Sequence, residues 1–316
     1  MRTDRVETTP AFFRGSGHGR QCRRISPCRL MDSRRKESYS LDSPEMLVSR
    51  KRRAARNALR ALSWLAARRR KTRCVVLMYH AVGDSVHCVS RDAFEAQMSY
   101  LKEHARVISL DAILNGQCRH STAPLTCAIT FDDGYAGVYE HAYPILRHYG
   151  FPAILYVTTS GLDRDRGERF YTIPGFFPGE PTVTWAQVQE MSIEGMNIGS
   201  HLSNHLDMRG LRPDIGMEEL VRSKEIITQQ VGAPCKHFAY PFGLFNAQNV
   251  DWVRKCGYES AVTVRHSVVA DNFDPFRIPR MGLAPRDSFA EFVGMLRGDL
   301  DYLLVVRKVR QILGLV

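Results

Sequence analysis

"LTCAITFDDGYAGVYEHAYPILRHYG", Leu125 to Gly150, decides the fold. Leu125–Phe131 is an unbroken run of apolar and β-branched residues. It stops at two adjacent carboxylates, Asp132 and Asp133. Gly134 then frees the backbone to turn, Tyr135 follows, and a helix-like segment runs on to Gly150. A strand with no polar alternation is buried on both faces, as in a parallel sheet covered by helices. Two like charges closing such a strand call for a chemical reason.

The same grammar recurs along the chain. Short apolar runs predict strands at 74–79, 152–157, 196–200, 236–240 and 260–264. Between them lie helix-like segments. In 91–104, Phe94, Met98 and Leu101 fall at helical spacing. Segment 213–234 opens on Pro213–Asp214 and closes on Gly232 and Pro234, and 246–258 stops at Gly257. The expected fold class is α/β: a distorted (β/α) barrel of about seven parallel strands. The expected boundaries are a basic tail at 1–73, the domain at 74–300 and a C-terminal helix at 301–316.

The 316 residues carry a formal net charge of +11, but that charge is unevenly placed. Residues 1–73 hold 21 basic and 6 acidic side chains, whereas 74–316 hold 23 basic and 27 acidic. The tail's first 50 residues, rich in Arg and Ser and poor in aliphatics, read as disordered, with Met31 and Met46 as alternative starts. Residues 51–71, "KRRAARNALRALSWLAARRRK", fit a basic amphipathic helix. It suits contact with an anionic membrane surface, or docking on the domain as a leader helix. Few aromatics in the tail and an acidic domain argue against nucleic acid as a partner. The 8 cysteines form no CxxC pair, which points to a reducing compartment. No signal peptide or membrane span is legible, so a cytoplasmic location is the expectation.

In α/β sheets and barrels, working residues gather at the carboxyl ends of strands. Three clusters fall there: Asp132–Asp133, "SHLSNH" (200–205) and "YPFG" (240–243). An acidic pair can simply begin a polar loop, and two histidines four residues apart can decorate a surface helix. Three such clusters at three strand ends make coincidence a poor account. A catalytic cation of the zinc type takes three protein ligands and leaves one position for water. His201 and His205 can offer two imidazoles and one aspartate a third ligand. The second carboxylate, left unligated, can accept a proton from water. A cation would also offset the repulsion within the doublet.

"TFDDGY" (130–135), "SHLSNH" (200–205) and "FAYPFG" (238–243) resemble, in order and spacing, the motifs of the polysaccharide deacetylases of carbohydrate esterase family four. "LMYHAVGD" (77–84) and "DPFRIPRMGL" (274–283) resemble the branch containing poly-N-acetylglucosamine deacetylases. The resemblance implies a divalent metal, zinc first, bound by Asp133, His201 and His205. It implies Asp132 as general base and an N-acetylated saccharide as substrate. Tyr240, Pro241 and Phe242 would border that substrate, and the Phe242 N–H would face the oxyanion.

The sequence departs from the family pattern at three places. Ala239 stands where an arginine usually orients the base. Arg280, grouped with the substrate-contacting residues, is read either as the replacement or as a plain structural ion pair. Leu202 stands where the family has Ser or Thr. The late segment that carries the catalytic acid is not evident, which leaves His266 and His80 as candidates. Two other functions stay open: a deformylase or other C–N amide hydrolase on a sugar-lipid or small molecule, and a saccharide-binding protein with a decayed site.

Overall fold

The computed structural model describes residues 72–119, 121–162, 177, 179–299 and 301. The expectations for the tail at 1–71 and for the C-terminal helix beyond Asp301 lie outside the described residues. Eight strands share one sheet: β1 (Arg73–Tyr79), β2 (Arg106–Val107), β3 (Leu125–Phe131), β4 (Ala153–Val157), β5 (Asn197–Ser200), β6 (His237–Ala239), β7 (Ser260–Val262) and β8 (Met281–Gly282). Their order is β7-β6-β5-β4-β3-β1-β8, with β2 added on β3, and every pairing is parallel. The chain therefore forms the expected distorted barrel, with seven strands on one path.

β1 and β3 are buried at all seven of their positions, which is why both lack polar alternation. Successive side chains still point to opposite faces. Val75, Leu77 and Tyr79 of β1 join Cys127, Ile129 and Phe131 of β3 in the layer between sheet and helices. Val76, Ala128, Ile154, Tyr156, Ala239, Val262 and Ile278 meet in a second, smaller cluster, the barrel interior. Leu110 and Ile113 of the short helix Leu110–Leu114 belong to that interior cluster as well. By this alternation Ala128, Thr130 and Asp132 share the inner face, so Asp132 stands at the barrel mouth by register alone.

β7 and β8 do not pair directly. Residues 275–283 join the two edges: the Ala261 and Ile278 N–H groups bond Pro275 and Ala261 carbonyls, and Leu283 N–H then bonds Met78 of β1. Arg280 lies on this closing segment. The helices between strands are punctuated as their sequences dictate. Ser90 caps Arg91–His104, and Gly232, at φ 71°, closes Pro213–Val231 in the left-handed region. Three further helices, Leu110–Leu114, Trp185–Ile193 and Phe289–Arg297, were not anticipated. Among the described residues, no helix is long and apolar enough to cross a membrane.

Candidate metal and catalytic site

Asp132 ends β3 on the inner face, its N–H bonded to the Tyr79 carbonyl at 3.0 Å. Continued alternation would throw Asp133 outward. Instead Asp133 has φ 73° and Gly134 φ 85°, so two consecutive left-handed residues bring the second carboxylate back to the mouth. Both aspartates are almost wholly buried. Tyr135, fully buried one turn on, accepts the Phe177 N–H at 2.9 Å and hydrogen-bonds the Asp133 carboxylate.

The histidines come from the loop after β5, not from a helix. The His201 N–H bonds Val157 of β4 at 2.9 Å, and Leu202 and His205 both take left-handed φ, 63° and 52°. Asp133 Oδ1 lies 3.4 Å from His201 Nε2 and 3.5 Å from His205 Nε2, and the two Nε2 atoms are 3.2 Å apart. His201 Nδ1 donates to the Ala239 carbonyl at 2.8 Å, which leaves the Nε2 lone pair for a ligand when the ring is neutral. Asp133, His201 and His205 are the one group of three His, Cys, Asp or Glu residues among the described residues whose ligand atoms lie within 4.8 Å of one another. Buried, convergent and of mixed N and O donors, this set fits a divalent cation. Without a cation, burial opposes the charge on Asp133, but His201, His205 and His80 outweigh it and lower its pKa. Burial likewise opposes protonation of His201, and its bond to Asp133 and the two carboxylate charges raise its pKa regardless.

Arg280 is fully buried and grips Asp132 with both terminal nitrogens, each at 2.6 Å from a carboxylate oxygen. Its Nε donates to the Thr263 carbonyl at 3.0 Å, and one terminal nitrogen also reaches Thr130 Oγ1 at 3.1 Å. Burial works to raise the Asp132 pKa, but the Arg280 charge and hydrogen bonds reverse that and hold it at about 2. Arg280 thus orients Asp132 from a position where it meets no substrate. Ala239 offers only its carbonyl, to His201, so the guanidinium arrives from the closing segment instead.

His80 stands level with Asp132, because its neighbour Tyr79 is the register partner of Phe131. It lies near enough to both carboxylates to help lower their pKa values. The structure thus brings His80 to this strand-end site; His266 lies four residues past the end of β7. Tyr240 is placed otherwise than a substrate contact requires: it is fully buried, stacked on Phe245 at 4.3 Å, with its hydroxyl donating to the Phe276 carbonyl. Pro241 is buried too, and Phe242 remains the accessible member of that cluster, 40% exposed at φ 57° with its ring 4.4 Å from that of His205.

Of the aromatic-rich loop at 162–180, Phe177 is described. Its ring lies parallel to those of His87 and Tyr135, with centroids at 5.0 and 5.3 Å, and is 6.0 Å from His80. Phe177, His80, His87 and Leu283 line a mouth-side pocket of about 270 Å³. Motif reading missed a further residue, Glu219 of helix Pro213–Val231, whose carboxylate reaches under the histidine loop. Its signal was an acid on the stripe Gly216, Glu219, Leu220, Ser223 and Ile227, which the helix buries.

Residues 119–261 match the family model for polysaccharide deacetylase. The chain is 27% identical over 229 residues to the Bacillus subtilis protein YxkH, covering 69% of this chain and 74% of that one. It is 25% identical over 219 residues to the poly-β-1,6-N-acetyl-D-glucosamine N-deacetylase of Staphylococcus aureus, covering 66% and 71%. Among solved structures, IcaB from Ammonifex degensii superposes with a TM-score of 0.61 at 26% identity, over 72% of this chain and 97% of that one.

Proposed function

Since the chain belongs to the polysaccharide deacetylase family, we propose that it hydrolyses the N-acetyl groups of a β-1,6-linked N-acetylglucosamine polymer. The observation that carries this reading is the convergence of Asp133, His201 and His205 beside an Arg280-bound Asp132. The N-deacetylase relative from Staphylococcus aureus supports the choice of polymer.

A divalent cation held by Asp133, His201 and His205, zinc first by its taste for this donor set, would acidify water and polarise the amide carbonyl. The remaining work falls to side chains of the chain itself. Asp132 is ionised throughout the working pH range and takes the proton as water adds to the carbonyl carbon. Arg280 fixes the direction of its lone pairs and keeps it charged, at the cost of some basicity. The Phe242 N–H, turned out of line by the residue's left-handed φ, is the donor for the developing oxyanion. His80 gives a proton to the amine nitrogen as the C–N bond breaks, so that water and amide become acetate and a free amino sugar. His87, stacked on Phe177 beside His80, offers a ring face against which a pyranose can lie.

Metal analysis of the purified protein, run beside acetate release from β-1,6- and β-1,4-linked N-acetylglucosamine oligomers, tests this reading. One equivalent of metal and acetate from the β-1,6 oligomers are expected. Asp132→Asn should keep the metal and lose turnover by about 10²- to 10⁴-fold, whereas His201→Ala should lose the metal. Metal-loaded protein that frees no acetate from either oligomer would refute the deacetylase assignment. Formate release from N-formyl sugars would then favour the deformylase reading.

A further inference from the structure

The loop that carries both histidine ligands is held from two sides. From the β4 exit, the Thr159 and Ser160 N–H groups bond the Leu202 and Ser203 carbonyls at 3.3 and 3.0 Å, and Thr159 Oγ1 meets Ser203 Oγ at 3.2 Å. These contacts use the loop's acceptors. The donors of Ser203 and Asn204 go to a single carboxylate: Glu219 Oε2 accepts the Ser203 N–H at 3.1 Å and the Asn204 N–H at 3.0 Å, while Oε1 accepts Asn204 Nδ2 at 2.6 Å. Glu219 is 8% exposed, on the helix Pro213–Val231 that follows the histidine loop in the chain. Burying a carboxylate is costly unless it is hydrogen-bonded, and this one bonds Ser203 and Asn204, two of the three residues between His201 and His205.

The loop needs such support. Leu202 and His205 both hold left-handed φ, a conformation that non-glycine residues keep only when their surroundings over-determine it. Leu202 is fully buried among apolar side chains and has no hydroxyl with which to brace the loop from inside. We infer that Glu219 is the positioning residue for the metal ligands, fixing the 202–204 turn so that His201 and His205 converge on Asp133. This inference rests on the reading of those three residues as a metal site. Glu219 touches neither substrate nor cation; it acts through the backbone of Ser203 and Asn204.

The test is the zinc dissociation constant of full-length wild type, Glu219→Ala, Glu219→Gln and Asn204→Ala, measured by competition with a chromophoric chelator. Unfolding midpoints of the metal-free proteins are recorded alongside. Groups that orient metal ligands from behind are worth about 10- to 100-fold in affinity, and a loss of that size is expected for Glu219→Ala. Glu219→Gln keeps an oxygen for the two backbone N–H groups and should bind several-fold tighter than Glu219→Ala. Asn204 is exposed, so Asn204→Ala will fold even if Glu219→Ala does not, and it should lose about 3- to 10-fold. Wild-type affinity in Glu219→Ala, or in Asn204→Ala should Glu219→Ala not fold, would overturn the inference; a lowered apo midpoint with unchanged affinity would mark Glu219 as merely structural. A wild type that takes up no zinc would overturn the metal reading itself together with this one.

Discussion

The Asp132–Arg280 pair permits a quantitative test, because it is bidentate and fully buried. With contacts of 2.6 Å the charge centres lie about 4 Å apart, and at an effective dielectric of about 20 their attraction is about 4 kcal/mol. The fall of the Asp132 pKa from its ordinary 3.8 to about 2 is worth about 2 kcal/mol net: burial opposes it, and the Arg280 charge and hydrogen bonds, with His201 and His80, outweigh burial. Arg280→Met strands a buried carboxylate and should destabilise the fold by about 3–5 kcal/mol. Asp132→Asn strands the guanidinium, although its bonds to Thr263 and Thr130 remain. The double variant leaves neither charge, so it should cost less than the two singles together, by a coupling of about 3–4 kcal/mol. Urea unfolding at pH 7 measures all four proteins, after chelation so that metal linkage adds nothing. A coupling below about 1 kcal/mol would place the pair with exposed ion pairs and refute the reasoning. Arg280→Lys should not restore the bidentate grip, and its kcat should stay depressed by about 10²-fold through misdirection of Asp132 alone.

The two histidine candidates separate by their kinetics. His80→Gln should lower kcat by about 10²- to 10⁴-fold, whereas His266→Gln should leave it unchanged; the reverse pattern would move the acid to the β7 side. The pH dependence of apo stability has a definite sign. Asp132 and Asp133 have folded-state pKa values below their ordinary 3.8, so the stability they contribute is complete above that value and is lost as pH falls towards about 2. His201, raised above 6.5, contributes stability that is complete below that value and is lost as pH rises through its folded pKa. Urea midpoints of the chelated protein from pH 2 to 9 should show both flanks, and a midpoint flat below pH 4 would contradict the first. Gly137→Ala would set a Cβ 2.1 Å from the Val82 carbonyl oxygen, a backbone atom, and should cost about 3 kcal/mol. Gly210→Ala, with nothing within 4 Å, should stay within about 0.5 kcal/mol in the same assay.

Elements that owe their form to local chemistry were the legible ones. β3 and the helix Arg91–His104 fall where the sequence puts them, one because it is wholly apolar and the other because Ser90 caps it and its buried residues repeat at helical spacing. Two of the unanticipated helices carried readable starts as well: Thr184 with Gln187 and Ser288 with Glu291 are capping boxes with both bonds formed. β2 and β8 are two residues each and exist only because a longer neighbour offers an edge, so no local pattern announces them. The site divides the same way. Asp132, Asp133, His201 and His205 are legible because strand ends mark them. The union of Arg280 with Asp132 spans 148 positions and depends on how the closing segment crosses the mouth, and the choice between His80 and His266 needs the register of β1 on β3.

Backbone conformation connects these halves. The four non-glycine residues with positive φ among the described residues are Asp133, Leu202, His205 and Phe242. Each belongs to one of the three strand-end clusters, and each such conformation costs of order 1–3 kcal/mol. The strain has a geometric use. Asp133 must leave the alternation of β3 if two adjacent carboxylates are to face one point. The turn from Leu202 to His205 must reverse within three residues if two imidazoles from one loop are to meet 3.2 Å apart. Phe242 must turn its N–H away from the ordinary ladder if it is to serve a developing charge. Sequence pattern could name the residues that do chemistry, because their types are unusual where they stand. It named Arg280 with its role left open between two readings, and it could not name Glu219 or the β4-exit Thr159 and Ser160, whose hydrogen bonds hold that strained backbone in place. The first set is defined by what a cation and a proton require; the second by what the fold must supply to keep the first in a conformation it would otherwise leave.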